Sequence, residues 1–271
     1  MTDRYAVLGN PLSHTKSPFI HGAFARQFGE DMSYEAIETP LQDFAATVAT
    51  FRDAGGLGVN VTVPFKVEAF ELADLPLEAA QICGASNALK FEGGKILAEN
   101  FDGVGLVRDI AGNLGVPLAG ARVLIAGAGG ATRGAVAPFL DAGVESITIV
   151  NRTVGKGEAI RDRLSGRGRI DAVSYESVSG FYDIVLNSTT TSLTGAKPPL
   201  PESVFEGARL AYDLVYGKGL TPFLAEAQAR GAQVADGVGM LVEQAAEAFD
   251  WWRGKRPDTA PVIETLTIPL E

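Results

Sequence analysis

Ala121-Arg122-Val123-Leu124-Ile125-Ala126-Gly127-Ala128-Gly129-Gly130-Ala131-Thr132 is the stretch that decides the fold of this chain. A strand-sized apolar run, Ala121–Ala126, ends in a glycine turn, and helical spacing continues from the turn to about Ala142. Gly127 permits the tight turn and Gly129 removes a Cβ that would block a pyrophosphate. A helix starting there offers unpaired N–H groups and the positive end of its dipole. Thr132 stands where the third glycine of G-x-G-x-x-G would fall, and its side chain is small enough for close helix–strand packing. Strand, glycine turn and helix predict a βα unit of a dinucleotide-binding sheet, although a glycine-rich turn alone also occurs in other α/β domains.

Downstream, the next strand, Ser146–Val150, ends in Asn151-Arg152-Thr153, with Lys156 close behind. An NAD site places Asp or Glu at such a strand end to accept from the ribose 2′-OH. A guanidinium suits a 2′-phosphate instead, so turn and strand end together predict NADP. Further strands are expected at Asp183–Leu186, Leu210–Leu214 and Gln233–Ala235. A helix runs from Thr221-Pro222 to Ala229, and a last one from Met240 to about Trp252.

Upstream, Tyr5–Leu8 reads as a strand closed by Gly9-Asn10-Pro11. A helix follows with Ser17 as N-cap, Pro18 at its first position, and Ile20, Phe24 and Phe28 at fourfold spacing. Ser33–Glu38 and Leu57–Val61 read as strands, Leu41–Phe51 as a helix. Asn60-Val61-Thr62-Val63-Pro64 carries the chain from strand into loop. Ala85–Leu89 and Ile96–Ala98 form a hairpin around Glu92-Gly93-Gly94, which makes the first sheet mixed. A helix over Gly103–Leu114 leads into the second half. The fold class is therefore α/β. An N-terminal mixed-sheet substrate domain, 1–101 with 238–271, joins a Rossmann-like doubly wound NADP-binding domain, 102–237. The C-terminal helix returns to the first domain.

Composition narrows the function. At 271 residues the chain holds about two domains. With 46% apolar and 21% charged residues it is an ordinary globule rather than a disordered or fibrous chain. No apolar run approaches the ~20 residues that span a bilayer, and the N-terminus has no signal-peptide core. A net charge of −10 argues against nucleic-acid partners. One cysteine and two histidines cannot build a disulfide or a Cys/His metal cluster, so no metal is expected. These features predict a cytoplasmic protein acting on a small molecule, as a monomer or homodimer.

Four polar clusters fall at strand ends and loops, where open α/β sheets gather ligands. They are Ser13-His14-Thr15-Lys16-Ser17, Asn60 to Lys66, Ser86-Asn87 and Glu99-Asn100-Phe101-Asp102. Each has a structural alternative. Ser17 and Asp102 could cap helices, Asn87 could satisfy a turn, and Lys66 could be a solvated surface lysine.

Taken in order, these segments resemble the shikimate dehydrogenase family. The resemblance is carried by Gly9-Asn10-Pro11-Leu12-Ser13-His14-Thr15-Lys16-Ser17-Pro18, Asn60-Val61-Thr62-Val63-Pro64-Phe65-Lys66 and Gly84-Ala85-Ser86-Asn87. It continues through Asn100-Phe101-Asp102-Gly103-Val104-Gly105, the glycine turn and Asn151-Arg152-Thr153. Tyr212-Asp213-Leu214-Val215-Tyr216 and Asp236-Gly237-Val238-Gly239-Met240-Leu241-Val242-Glu243-Gln244-Ala245 complete it. The resemblance implies NADP-dependent interconversion of 3-dehydroshikimate and shikimate, toward chorismate and the aromatic amino acids. It implies Lys66 and Asp102 as the catalytic pair. Thr15 and Ser17 would hold the substrate carboxylate, and Thr62, Asn87, Tyr216 and Gln244 would make further substrate contacts. Cofactor contacts would come from Gly127, Ala128, Gly129, Gly130, Ala131, Asn151, Arg152, Thr153, Lys156, Thr189, Leu214 and Gly237, with Glu78 as an additional candidate.

Three positions depart from the family pattern. Thr15 replaces a serine and adds a methyl group, Phe101 replaces a threonine beside Asp102, and Asn187-Ser188-Thr189-Thr190-Thr191-Ser192 lacks an early glycine. Two alternatives stay open at this point: a quinate/shikimate dehydrogenase of broader substrate or cofactor use, and a non-catalytic nucleotide- or metabolite-binding module.

Overall fold

Apolar strand cores sort the chain into two six-stranded sheets in the computed structural model, which describes residues 2–270. The first sheet contains β1 (Asp3–Gly9), β2 (Met32–Glu38), β3 (Gly56–Val61), β4 (Leu75–Pro76), β5 (Ala88–Glu92) and β6 (Lys95–Glu99), in the order β2-β1-β3-β5-β6-β4. β1 runs parallel to β2 and β3, whereas β5 is antiparallel to β3 and β6. The hairpin expected around Glu92-Gly93-Gly94 forms there, because Gly93 and Gly94 adopt φ values of 60° and 76° that favour glycine. Ala85–Asn87 precede β5 rather than belonging to it, which leaves Ser86 and Asn87 at the sheet edge.

The helices of the first half are α1 (Ser17–Phe28), α2 (Phe44–Asp53), α3 (Lys66–Leu72), α4 (Glu78–Cys83) and α5 (Asp102–Arg108). On one face of the first sheet Phe44, Val48 and Phe51 of α2 join Phe65 and the strand residues Leu8, Val59 and Leu89. Phe44 and Phe65 stack at 5.0 Å; each fully buried ring stabilises the fold by about 1.5–3 kcal/mol.

The second sheet contains β7 (Arg122–Ala126), β8 (Ser146–Val150), β9 (Ile170–Val173), β10 (Ile184–Asn187), β11 (Leu210–Asp213) and β12 (Gln233–Asp236). All pairs are parallel, in the order β12-β11-β10-β7-β8-β9. This is the doubly wound order, with its switch point between β7 and β10. Its helices are α6 (Gly130–Asp141), α7 (Val154–Arg163) and α8 (Pro222–Ala229). Then come α9 (Val238–Arg253) and α10 (Ala260–Leu266). Thr221 caps α8 by accepting from Leu224 N–H at 3.3 Å, as its Thr-Pro pair predicts.

The chain divides into two compact units, Met1–Asp102 with Val242–Val262 and Gly103–Leu241 with Ile263–Glu271. Three expectations need correction here. Asp102 is the last residue of the first stretch of the first unit rather than the first of the second. The return crossing comes at Val242 rather than at 238. Residues 263–271 group with the second unit, where Leu270 packs on a core of Phe205, Phe223 and Leu224.

Two local readings also change. Lys16, not Ser17, is the N-cap of α1, and no side chain caps that helix. Pro18 is tolerated one position later because N–H groups throughout a first turn lack helical partners. The helix expected over Gly103–Leu114 is α-helical only to Arg108 and continues as a π-turn over Asp109–Asn113. Val238–Arg253 forms the last long helix, with Ala245, Ala248 and Phe249 buried. Trp252 is an edge of the core: it stacks on Tyr5 at 4.8 Å and donates to Leu89 O at 3.1 Å.

Candidate active site

Strand register gathers the polar clusters of the first unit along one sheet edge. Leu8 pairs with Val61, Asn60 with Ala88, and Ala88 with Glu99, so β1, β3 and β6 end where β5 begins. Lys66 opens α3 directly after the β3 loop, and Asp102 opens α5 just after β6. Their side chains meet: Lys66 Nζ donates to Asp102 Oδ2 at 2.6 Å, with the lysine 30% and the aspartate 15% exposed. A pair so far removed from water feels a stronger attraction than a surface ion pair.

Asn87 organises the aspartate. Its Oδ1 accepts from Phe101 N–H at 2.9 Å, which fixes the amide orientation. Nδ2 then donates to Asp102 Oδ1 at 2.8 Å and to Gln244 Oε1 at 3.0 Å. Asn100 Oδ1 holds the Asp102 N–H at 3.1 Å. Asp102 therefore does more than cap a helix, and Lys66 is not a solvated surface lysine. Thr15 Oγ1 lies 3.3 Å from both Ser17 Oγ and Ser17 N, so the two hydroxyls sit together at the start of α1. The Phe101 ring packs edge-on against Trp251 of α9, with centroids 5.7 Å apart.

The second unit builds a different kind of site. Gly127 has a φ of 109°, and a Cβ there would fall 2.7 Å from Ser188 Oγ. Thr132 Oγ1 bonds Gly127 O at 2.8 Å and Ser188 Oγ at 2.6 Å, so the hydroxyl in the third fingerprint position ties the turn across the sheet switch point. A Cβ on Gly129 would meet nothing within 4 Å, and no side chain caps α6 behind it. A Cβ on Gly237 would fall 2.3 Å from Leu214 O, so glycine is what lets these two strand-end turns approach so closely. Asn151 Nδ2 donates to Thr153 O at 2.9 Å, while Arg152, Thr153 and Lys156 are exposed at the end of β8. Thr189 bonds Asn187 Oδ1 through N–H at 3.0 Å and through Oγ1 at 2.6 Å. Buried Asp213 accepts from Ser192 at 2.5 Å, Thr221 at 2.9 Å and Asn187 at 3.2 Å. Asp236 accepts from Val238 N–H and Gly217 N–H, both at 3.1 Å, and burial pushes its carboxyl above the usual aspartate range.

Comparison with known proteins covers both units. Residues 7–89 match the family model for the shikimate dehydrogenase substrate binding domain. Residues 109–197 match the shikimate / quinate 5-dehydrogenase model, and 237–267 the shikimate 5′-dehydrogenase C-terminal domain. The shikimate dehydrogenase (NADP(+)) of Nitrosospira multiformis is 53% identical over 100% of this chain and 99% of its own length. The chain belongs to the shikimate dehydrogenase family.

Solved structures agree. The crystal structure of an Ael1 enzyme from Pseudomonas putida is 58% identical, covers 99% of this chain and 100% of its own, and has a TM-score of 0.96. Shikimate 5-dehydrogenase from Thermus thermophilus, in complex with NADP(H) and shikimate, is 34% identical over 97% of this chain and 98% of its own, with a TM-score of 0.87.

Within the first unit the fold brings together Lys66, Asp102, Asn87 and Gln244, with Thr15 and Ser17 paired. Thr62 lies half-buried beside Gly9, where an added Cβ would strike its methyl group at 2.4 Å. Within the second unit, the cofactor candidates lie at the C-terminal strand ends of the doubly wound sheet, and Tyr216 follows β11 there, 39% exposed. Glu78 stands apart from that set: it is exposed at the start of α4 in the first unit. Asp213, Asn60 and Tyr34 were not assigned roles by the sequence reading. The first two sit inside quoted motifs as a carboxylate and an amide on apolar strands, the only local signal they give. Tyr34 gives none.

Proposed function

We propose that Lys66 and Asp102 are the catalytic pair of an NADP-dependent shikimate dehydrogenase in this chain, interconverting 3-dehydroshikimate and shikimate. The observation that carries this reading is the 2.6 Å contact between Lys66 and an Asp102 held in place by Asn87.

The second unit suits NADP. No side chain caps the first turn of α6, and a Cβ on its N-cap residue Gly129 would stand in open space, an arrangement that accepts a pyrophosphate. Exposed Arg152 and Lys156 match a 2′-phosphate, and no carboxylate occupies the strand end where NAD would need one. When bound, NADPH supplies the hydride for the ring carbonyl carbon.

The chain's residues manage one proton and one anion. In the reducing direction the Lys66 ammonium donates a proton to the carbonyl oxygen as it becomes a hydroxyl. In the oxidising direction the neutral amine takes that proton back. Asp102 accepts from Lys66 and keeps the nitrogen aimed at the reacting oxygen, and Asn87 keeps Asp102 from rotating away. Thr15 and Ser17 donate to the substrate carboxylate; uncharged donors there leave Lys66 as the cation nearest Asp102. Thr62 and Gln244 complete the substrate contacts of the first unit. With a single cysteine, Cys83, the chain forms no internal disulfide and needs no oxidising compartment, which supports a cytoplasmic protein. It works as a monomer or homodimer.

Initial rates with shikimate and NADP, set against quinate and NAD, test the assignment. The expected result is a kcat/KM at least about tenfold higher for shikimate with NADP. Equal or better turnover of quinate with NAD would favour the broader dehydrogenase. No turnover of either acid would leave a binding module.

A further inference from the structure

Tyr34 lies outside every motif that points to the active site, yet its hydroxyl enters the network that holds the site. It sits on β2, registered against Tyr5 of β1, and packs beside Tyr5, Ala88, Ala248 and Trp252. Its ring lies flat on the imidazole of His21, with centroids 4.2 Å apart and planes 5° from parallel. His21 is fully buried on α1, one helical turn after Ser17, so the two share a face of that helix.

The Tyr34 hydroxyl donates to Asn60 Oδ1 at 2.7 Å. Asn60 is itself buried, and its Nδ2 donates to the main-chain oxygen of Asn87 at 3.2 Å. One end of the Asn60 amide must accept and the other must donate, so these two contacts admit a single orientation. Asn87 in turn holds Asp102 and Gln244 through its side chain. A phenylalanine would fill the same space and keep the stack on His21. What the tyrosine adds is one donor, aimed at the amide behind Asn87.

We infer that Tyr34 is a positioning residue of the substrate site: its hydroxyl, acting through Asn60, and its ring, stacked on His21 of α1, fix the Asn87–Asp102 group relative to the start of α1. This inference rests on the function proposed above. A substrate that spans the Thr15 and Ser17 hydroxyls and the Asn87–Asp102 group requires them to be held at a set separation, and Tyr34 touches α1 through its ring and Asn60 through its hydroxyl.

The test is Tyr34→Phe, assayed beside the wild type with shikimate and NADP, with melting temperature recorded on the same preparations. Loss of one buried hydrogen bond corresponds to about a tenfold fall in kcat/KM for shikimate, carried mainly by KM. The KM for NADP is expected to stay within about twofold, since no second-unit residue is altered. Shikimate parameters unchanged in the variant overturn the inference. So does a parallel rise in both KM values with a lowered melting temperature, the signature of general loosening. A wild type that does not turn over shikimate with NADP overturns the proposed function instead, and this inference with it.

Discussion

The two units build their sites in opposite ways. In the first, side chains fix one another: Lys66, Asp102, Asn87 and Gln244 are linked by direct hydrogen bonds, with Asn60 and Tyr34 behind them. In the second, the working surface is main chain and missing side chain: the uncapped turn of α6, the bare Cα of Gly129 and exposed Arg152 and Lys156. Buried polar groups there, such as Asp213, shape loops from below. A site made of interlocked side chains is organised for bond-making, where a small displacement is costly. A site made of backbone and solvated cations is organised for affinity.

That contrast can be broken by substitution. The largest effect is expected from Lys66→Ala: kcat should fall by about a thousandfold, within the range for removing an acid–base group, with KM much less changed. A loss confined to KM would make the lysine a binding group only. Arg152→Ser should act on affinity alone, raising the KM for NADP at least about tenfold while rates with NAD change little.

Glycine substitutions separate ligand space from fold. Gly129→Ala has room and an ordinary φ of −89°, so the melting temperature should hold while NADP binding weakens, read by NADPH fluorescence titration. Gly127→Ala meets a φ of 109° and the Ser188 hydroxyl, so it should lower the melting temperature as well. Equal stability losses in the two would remove the distinction.

The smallest effect concerns pH. Burial holds the His21 imidazole at a pKa of about 3 against an ordinary 6.5. Asn60 lies near enough to oppose this slightly, yet neither ring nitrogen reaches a hydrogen-bond partner, and burial prevails. Between those values only the unfolded chain takes up the proton, so stability falls as pH drops from 6.5 toward 3. His21→Phe should flatten that slope by up to one proton, about 1.4 kcal/mol per pH unit, in denaturant midpoints taken across the window. An unchanged slope would show that His21 is not the group responsible.

Legibility in the sequence followed the same contrast. The doubly wound sheet was readable because βα spacing and a glycine turn are local signals, and β8 falls at Ser146–Val150 as expected. Lys66 and Asp102 stand out as polar residues at strand ends. Their contact does not, since it depends on the register of β3, β5 and β6. Ser17 was misplaced as a cap because a serine before a proline carries the cap signature whatever its hydroxyl faces. Asp102 sits at the boundary of the two units: its helix continues into the second, while its carboxylate is bound by Lys66 and Asn87 of the first. Tyr34 was invisible: an aromatic on an amphipathic strand is ordinary core until Asn60 is placed beneath it.

The most direct test of the pairing is a double-mutant cycle on Lys66 and Asp102, reading kcat for shikimate oxidation in Lys66→Ala, Asp102→Asn and the double variant. Groups that act on one oxygen as a unit give a double variant no slower than the slower single one. Additive losses, or a double variant that keeps wild-type turnover, would contradict the account.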